Sequence, residues 1–233
     1  MLSNQGLYFS RVDRLGDPFE GSVTVASTVA LREALKDVKE RDGMLRRMSE
    51  LRRTMTRNFA VNCWHMNEHE SAAMWRLYSL SDEGVAVRST VRRLTELFPR
   101  SDGVPKPRRS DGRDSEPAIY IGQVNYIDYD SAVMEEGNFF WPVMHKRKAF
   151  EHERELRAVT FDIHMKGEAA DTDRTPFPNG GVLIPADLSK LVEAVYVTPA
   201  SPMWFADLVA SLTKQYSYGF EVRQSRLAQD PVF

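Results

Sequence analysis

A β-branched and aromatic run, Phe59-Ala60-Val61-Asn62-Cys63-Trp64-His65, passes within a few residues into a helical pattern carrying Met74, Trp75 and Tyr78. No purely helical or purely stranded fold accommodates both patterns. Asn67, with Glu70 three residues on, predicts a helix N-cap and a helix running from about Glu68. Ser71, Trp75 and Tyr78 then stand at i, i+4 and i+7, a hydroxyl, an indole and a phenol on one face. A strand end feeding a helix start also favours an anionic group. The passage reads either as a platform for a planar ligand or as core packing around a cap. His65 and His69, at i and i+4, can share a helix face with Glu70 beside them, but Glu68-His69 precedes no second His at helical spacing and a third ligand is unassigned, so no metal site is assigned.

Around this passage, strand and helix signals alternate without a regular repeat. Leu7 to Val12 reads as a strand, with Tyr8, Ser10 and Val12 on one face and Leu7, Phe9 and Arg11 on the other. Gly16-Asp17-Pro18-Phe19-Glu20-Gly21 has the chemistry of a tight turn and places Asp17 and Glu20 near the end of that strand. Residues 27–58 read as two helices broken near Asp42-Gly43, each with one buried stripe. Further strands are expected at 84–90, 118–127, 156–163, 182–184, 192–197 and 220–223, and further helices at 91–98, 139–153 and 203–215. These elements predict an α+β fold of one domain over residues 1–233, with a mixed, bent sheet flanked by helices. Residues 99–117, rich in Pro, Gly, Ser, Asp and Arg, read as an exposed loop within it.

Composition narrows the function classes. Lys and Arg total 31 against 33 Asp and Glu, a net charge of -2, so no global field draws nucleic acid or an anionic membrane. The Arg-rich stretch 46–57 is interleaved with acids and reads as a solvated helix face. No apolar run reaches the length of a membrane span, and Met1 to Val12 lacks the pattern of a secretory leader, which points to a cytoplasmic protein. The single cysteine excludes an internal disulfide.

A second constellation is Lys146-Arg147-Lys148-Ala149-Phe150-Glu151-His152-Glu153-Arg154-Glu155-Leu156-Arg157. If the strand covers Glu155 to Phe161, Glu155 and Arg157 share a face with Val159 and Phe161, a carboxylate and a guanidinium on an apolar surface. Such groups are seldom buried unless paired. They form a structural ion pair, or they converge on a ligand with Glu153 or Glu155 as a working carboxylate tuned by Arg157.

Together, Tyr8-Phe9-Ser10-Arg11, Asp17 to Gly21, Cys63-Trp64-His65 with Glu70-Ser71, Met74 to Tyr78, Gly84 to Val87, Lys146-Arg147, Phe150, Glu153, Glu155 and Arg157 resemble the bacterial family catalogued as domain of unknown function 2971. The match runs in order through most of residues 7–161. The resemblance implies a bacterial, cytosolic protein whose signature segments form one site. Its element order is similar to that of ADP-ribosyltransferases, in which an early-strand Arg or His, a middle Ser or Tyr and a late Glu surround NAD. Those places fall here on Arg11, on Ser71 or Ser89, and on Glu153 or Glu155. Members of the family carry a further strand-like and helical segment before the Leu-Tyr-Phe-Ser stretch. Only six residues precede Leu7 here, which reads as a shortened start.

The expected site has Glu153 and Glu155 as catalytic carboxylates. Its ligand-binding walls are Tyr8, Ser10, Arg11, Asp17 and Glu20; then His65, Glu70, Ser71, Trp75 and Tyr78; then Arg157. Two function classes follow. One is an enzyme handling a nucleotide-like small molecule, with NAD as the candidate cofactor. The other is a non-catalytic binding or interaction module, of the kind used in stress or phage-defence systems, in which Glu155 and Arg157 pair internally. Oligomeric state is left open.

Overall fold

The computed structural model describes residues 1–79, 81–98, 118–134, 138, 140–162, 165–166, 169–170, 176–229 and 231. The loop expected at 99–117 lies outside the described residues, as do Phe139 and Ile163. Strands in chain order are β1 (Gly6–Arg11), β2 (Phe59–His65), β3 (Val85–Arg88), β4 (Tyr120–Gln123), β5 (Asn125–Ile127), β6 (His145–Arg147), β7 (Glu155–Phe161), β8 (Met165–Lys166), β9 (Ala169–Ala170), β10 (Gly181–Pro185), β11 (Ala194–Val197) and β12 (Glu221–Gln224). Helices are α1 (Val25–Ala34), α2 (Arg41–Met55), α3 (Ala72–Tyr78), α4 (Val91–Leu97), α5 (Trp141–Met144), α6 (Leu188–Leu191) and α7 (Met203–Gln215). The fold is mixed α+β.

Packing divides the chain into two compact units. One comprises Met1–Leu7, Asn67–Pro99 and Leu183–Phe233; the other comprises Tyr8–Met66 and Arg100–Val182.

The second unit is built on the sheet ordered β10-β1-β2-β7-β4. β2 and β7 pair antiparallel along their full length, from Phe59↔Phe161 through Val61↔Val159 and Cys63↔Arg157 to His65↔Glu155. Because side chains alternate between faces, those eight residues share one face. At one end of it, Phe59, Val61 and Val159 close a core with Val12 and Val143, against which Met55, Phe140 and Phe161 pack. At the other end, the same face turns charged. The change of chemistry along a single register is what places the site.

Helix boundaries differ from expectation where local signals compete. The break between α1 and α2 falls at residues 35–40, not at Asp42-Gly43, which lie in the first turn of α2. An acidic residue is favoured there by the helix dipole. Neither α1 nor α2 contains a fully buried residue, so the expected buried stripes are only half-covered. The segment expected as one helix over 139–153 splits into α5, the strand β6 and a 3-10 turn over Lys148–Glu153. Pairing of His145, Lys146 and Arg147 with Asn125, Tyr126 and Ile127 overrides the helical pattern.

The first unit holds a three-stranded sheet ordered β12-β11-β3. β11 pairs in parallel with β12 and antiparallel with β3. α7 spans the predicted residues, Met203–Gln215, without adjustment.

Candidate functional site

The charged end of the β2–β7 face is centred on Arg157, whose side chain is 0% exposed. A guanidinium out of contact with water needs its donors filled, and here all are used. Its Nη1 and Nη2 donate to the two Glu20 carboxylate oxygens at 2.9 and 2.8 Å, and Nε and Nη2 donate to Glu155 at 3.1 and 3.0 Å. Nη1 also donates to the Val143 carbonyl at 2.6 Å. Lys146, the middle residue of β6, places its ammonium 3.2 Å from Glu20 and 3.6 Å from Glu155, and donates to Glu153. Three carboxylates and two cations are thus buried together, leaving one surplus negative charge.

Local structure explains the convergence. Glu20 is delivered by the turn that begins at Asp17 and ends at Gly21, which adopts φ +74°, a conformation suited to glycine. A Cβ at Gly21 would lie 2.6 Å from the Thr56 side chain, so the position also lacks room. Asp17 secures the turn by accepting from Arg147 Nε and Nη2 at 3.1 and 2.7 Å. The Arg147 guanidinium lies 4.2 Å from the Phe19 ring centre and 5.4 Å from that of Phe150, a cation between two rings. Arg154, at φ +42° and ψ +56°, joins the 3-10 turn to β7, and Glu153 and Glu155 on either side of it both meet Lys146.

His65 Nδ1 lies 2.6 Å from the Glu153 carbonyl oxygen. A carbonyl only accepts, so Nδ1 carries the proton, and Nε2 is left buried without a hydrogen-bond partner. The Tyr126 hydroxyl accepts from the Glu155 backbone N–H at 2.9 Å.

The proton affinities run away from neutrality. Burial opposes ionisation of Glu155, but the Arg157 guanidinium, a hydrogen bond from Cys63 and the Lys146 charge outweigh it and hold the carboxyl below its ordinary range. Burial also opposes the Lys146 charge, yet Glu153, Glu155 and Glu20 hold the ammonium above its ordinary range. Burial, with Glu20 and Asp17 nearby, pushes the Tyr129 phenol up to about 12. Cys63 is exposed, but burial of its surroundings dominates at the sulfur and, with Glu155, raises the thiol despite Arg157. A thiol held protonated is a poor nucleophile. General acid–base work requires a group near the operating pH, and these groups are displaced from it.

The shift at Glu155 has a pH consequence. A carboxyl bound by a proton less tightly when folded contributes stability above the ordinary glutamate value of 4.5, and loses it as pH falls through its lower folded value. The melting temperature is expected to fall on acidification through that window, and to fall less steeply in Glu155→Gln. Equal acid slopes in melts of the two proteins would contradict this.

The remaining expected site residues are engaged elsewhere. Arg11 is buried and donates to Asp13 at 2.6 and 3.0 Å, with a further contact at 3.5 Å to the Phe177 carbonyl. Tyr8 is exposed and donates to the Asn179 carbonyl, while Ser10 is half-buried on β1. In the other unit, Ser71 rather than Asn67 caps α3, its Oγ accepting from Met74 N–H at 3.3 Å, so the helix begins at Ala72 and not at Glu68. Glu70 accepts from the Trp75 indole at 3.1 Å and from the Arg226 backbone N–H at 2.9 Å. Tyr78 is 68% exposed rather than packed inside. The structure therefore gathers Glu20, Glu153, Glu155, Arg157 and His65, with Asp17 beside them, into one cluster of the second unit. Glu70, Ser71, Trp75 and Tyr78 belong to the first.

Sequence reasoning missed the roles of Lys146, Arg147, Tyr126 and Tyr129. For the two basic residues a signal existed in their position beside an acidic run; for the two tyrosines there was none. It also missed a cluster in the first unit, where Arg88 and Arg223 each donate to the Tyr196 hydroxyl at 3.3 Å and lower its pKa. An open groove of about 540 Å³ in that unit, lined by Gln5, Glu96, Asp187, Lys190 and Tyr218 among others, includes none of the residues expected from sequence.

Among the described residues no group of three His, Cys, Asp or Glu is placed to hold a metal ion, and no helix is long and apolar enough to cross a membrane. Fold and site together define a mixed α+β protein with a buried five-residue ionic cluster on its principal sheet. The chain matches no family profile, no curated protein and no solved structure.

Proposed function

We propose that the protein is a non-catalytic binding or interaction module in which the Glu20–Arg157–Glu155–Lys146–Glu153 cluster is a structural keystone. The observation that carries this reading is the saturation of the cluster. Both oxygens of Glu20 and both of Glu155 accept from a fully buried guanidinium. The arrangement ties the Asp17–Gly21 turn, β6 and β7 together, which is what a buried ion network does when it specifies a conformation. The resemblance to the domain of unknown function 2971 family is compatible with such a module.

The competing reading, an NAD-handling enzyme of ADP-ribosyltransferase type, draws on one observation. Glu155 is held ionised in a rigid frame, the state in which a carboxylate stabilises positive charge developing on a ribose. One experiment separates the two. The protein and a Glu153→Gln, Glu155→Gln variant are each incubated with labelled NAD and cell extract. Label transfer is expected from neither, and NAD is expected to leave the melting temperature unchanged. Transfer by the parent protein that the variant loses would replace the module reading with the transferase.

A further inference from the structure

β11 runs between β3 and β12, and the register sets Tyr196 opposite Arg223 on one side and Ala86 on the other, with Arg88 opposite Ala194. Paired residues share a face, so Arg88, Tyr196 and Arg223 stand together on one side of the three-stranded sheet. The other two positions around the phenol, Ala86 and Ala194, are too small to fill the space beside it. Tyr196 is only 9% exposed, whereas the arginine side chains are 50 and 40% exposed. The phenol is held in place, and solvent reaches the guanidiniums.

Both guanidiniums converge on one oxygen. Arg88 Nη1 and Arg223 Nη1 each donate to the Tyr196 hydroxyl at 3.3 Å, longer than the usual N–H···O distance of about 2.9–3.0 Å. A neutral oxygen thus draws two like charges together without cancelling either. Two carboxylates stand nearby: Glu193 lies 3.7 Å from Arg88 Nε, beyond hydrogen-bond reach, and Glu221 accepts from Arg223 Nη2. Both are solvated, and exposed pairs of this kind hold weakly. Arg157 shows the contrast, its guanidinium being filled by two paired carboxylates and a carbonyl. Among the described residues the Arg88 guanidinium makes one hydrogen bond and that of Arg223 two, which leaves most of their N–H donors unused.

The Tyr196 hydroxyl completes the set. Its oxygen accepts from both arginines, and an arginine never accepts, so its proton is directed at neither; among the described residues no acceptor meets it. The same two hydrogen bonds lower the pKa of the phenol, which makes its O–H a stronger donor. Three donor groups therefore meet at one place and lack a common acceptor. A phosphoryl group supplies one, with three terminal oxygens in a tetrahedral array and the charge that guanidinium forks match. A carboxylate presents only two oxygens, in one plane.

We infer that Arg88, Tyr196 and Arg223 form a binding site for a phosphoryl group, carried by inorganic phosphate or by a phosphomonoester. The two guanidiniums bind terminal oxygens, the Tyr196 O–H donates to another, and Glu221 gives up its place on Arg223. The site goes beyond the module reading and is independent of the ionic cluster, because all its residues belong to the first unit and none to that cluster.

The full chain, isotope-labelled in nitrogen, is titrated with inorganic phosphate and separately with methyl phosphate at constant pH and ionic strength, and the arginine Nε–H signals are followed by NMR. The signals that vanish in Arg88→Gln and in Arg223→Gln are expected to shift saturably in the parent, and the tighter of the two ligands identifies the source of the phosphoryl group. Each arginine variant is expected to weaken binding about tenfold, and Tyr196→Phe, which keeps the ring, several-fold. Glu221→Gln removes the competing carboxylate and is expected to tighten binding. This variant and Tyr196→Phe carry the test if an arginine variant melts early. Shifts no larger than chloride gives at the same ionic strength, acetate binding as tightly as phosphate, Tyr196→Phe binding like the parent, or Glu221→Gln binding no more tightly each overturns the proposal.

Discussion

Arg157→Met is expected to destabilise the protein by about 3–5 kcal/mol, the range for removing one partner from a buried ion pair. Methionine fills much of the space of the arginine stem, so packing contributes little to the loss. What remains is a buried cluster of Glu20, Glu153 and Glu155 facing Lys146 alone, with the Val143 carbonyl also deprived of its donor. At about 2–4 °C per kcal/mol for a chain of this size, the melting temperature should drop by roughly 10 °C. Calorimetry that finds the variant melting with the parent would show that Arg157 is not the keystone.

Glu20→Gln should change sign with its background. In the parent protein, the glutamine still accepts from Arg157 through one oxygen but turns an amide toward the second donor, and about 1–3 kcal/mol should be lost. In Arg157→Met the same change removes one of three mutually repelling carboxylates and should stabilise. A double-mutant cycle by urea unfolding measures the difference as a coupling energy, expected to exceed the loss of about 1–3 kcal/mol seen in the parent. Additive losses would mean that Glu20 and Arg157 act separately, against their paired hydrogen bonds of 2.8 and 2.9 Å.

Much of the candidate site was legible along the chain. The period-two register of Glu155 to Phe161 is enough to put Glu155 and Arg157 on one face with Val159, and β7 has those bounds. The turn chemistry of Asp17 to Gly21 likewise marks where Glu20 is presented. Cys63 is conspicuous by its rarity, yet burial, with Glu155, raises its thiol and leaves it a poor nucleophile. Capping was misread at Asn67, because several polar residues before a helix can serve and only backbone direction selects Ser71.

Local pattern therefore determined the α+β class, the β2 and β7 strands, the turn before Glu20 and the span of α7, all of which follow from periodicity and turn residues within a few positions. Tertiary structure alone decided that Lys146 lies in a strand, that Glu20 reaches Arg157 across 137 positions, and that Glu153, Glu155 and Lys146 share their charges. Ion pairing depends on distance in space and on the removal of water, and neither is written in the spacing of residues along a chain.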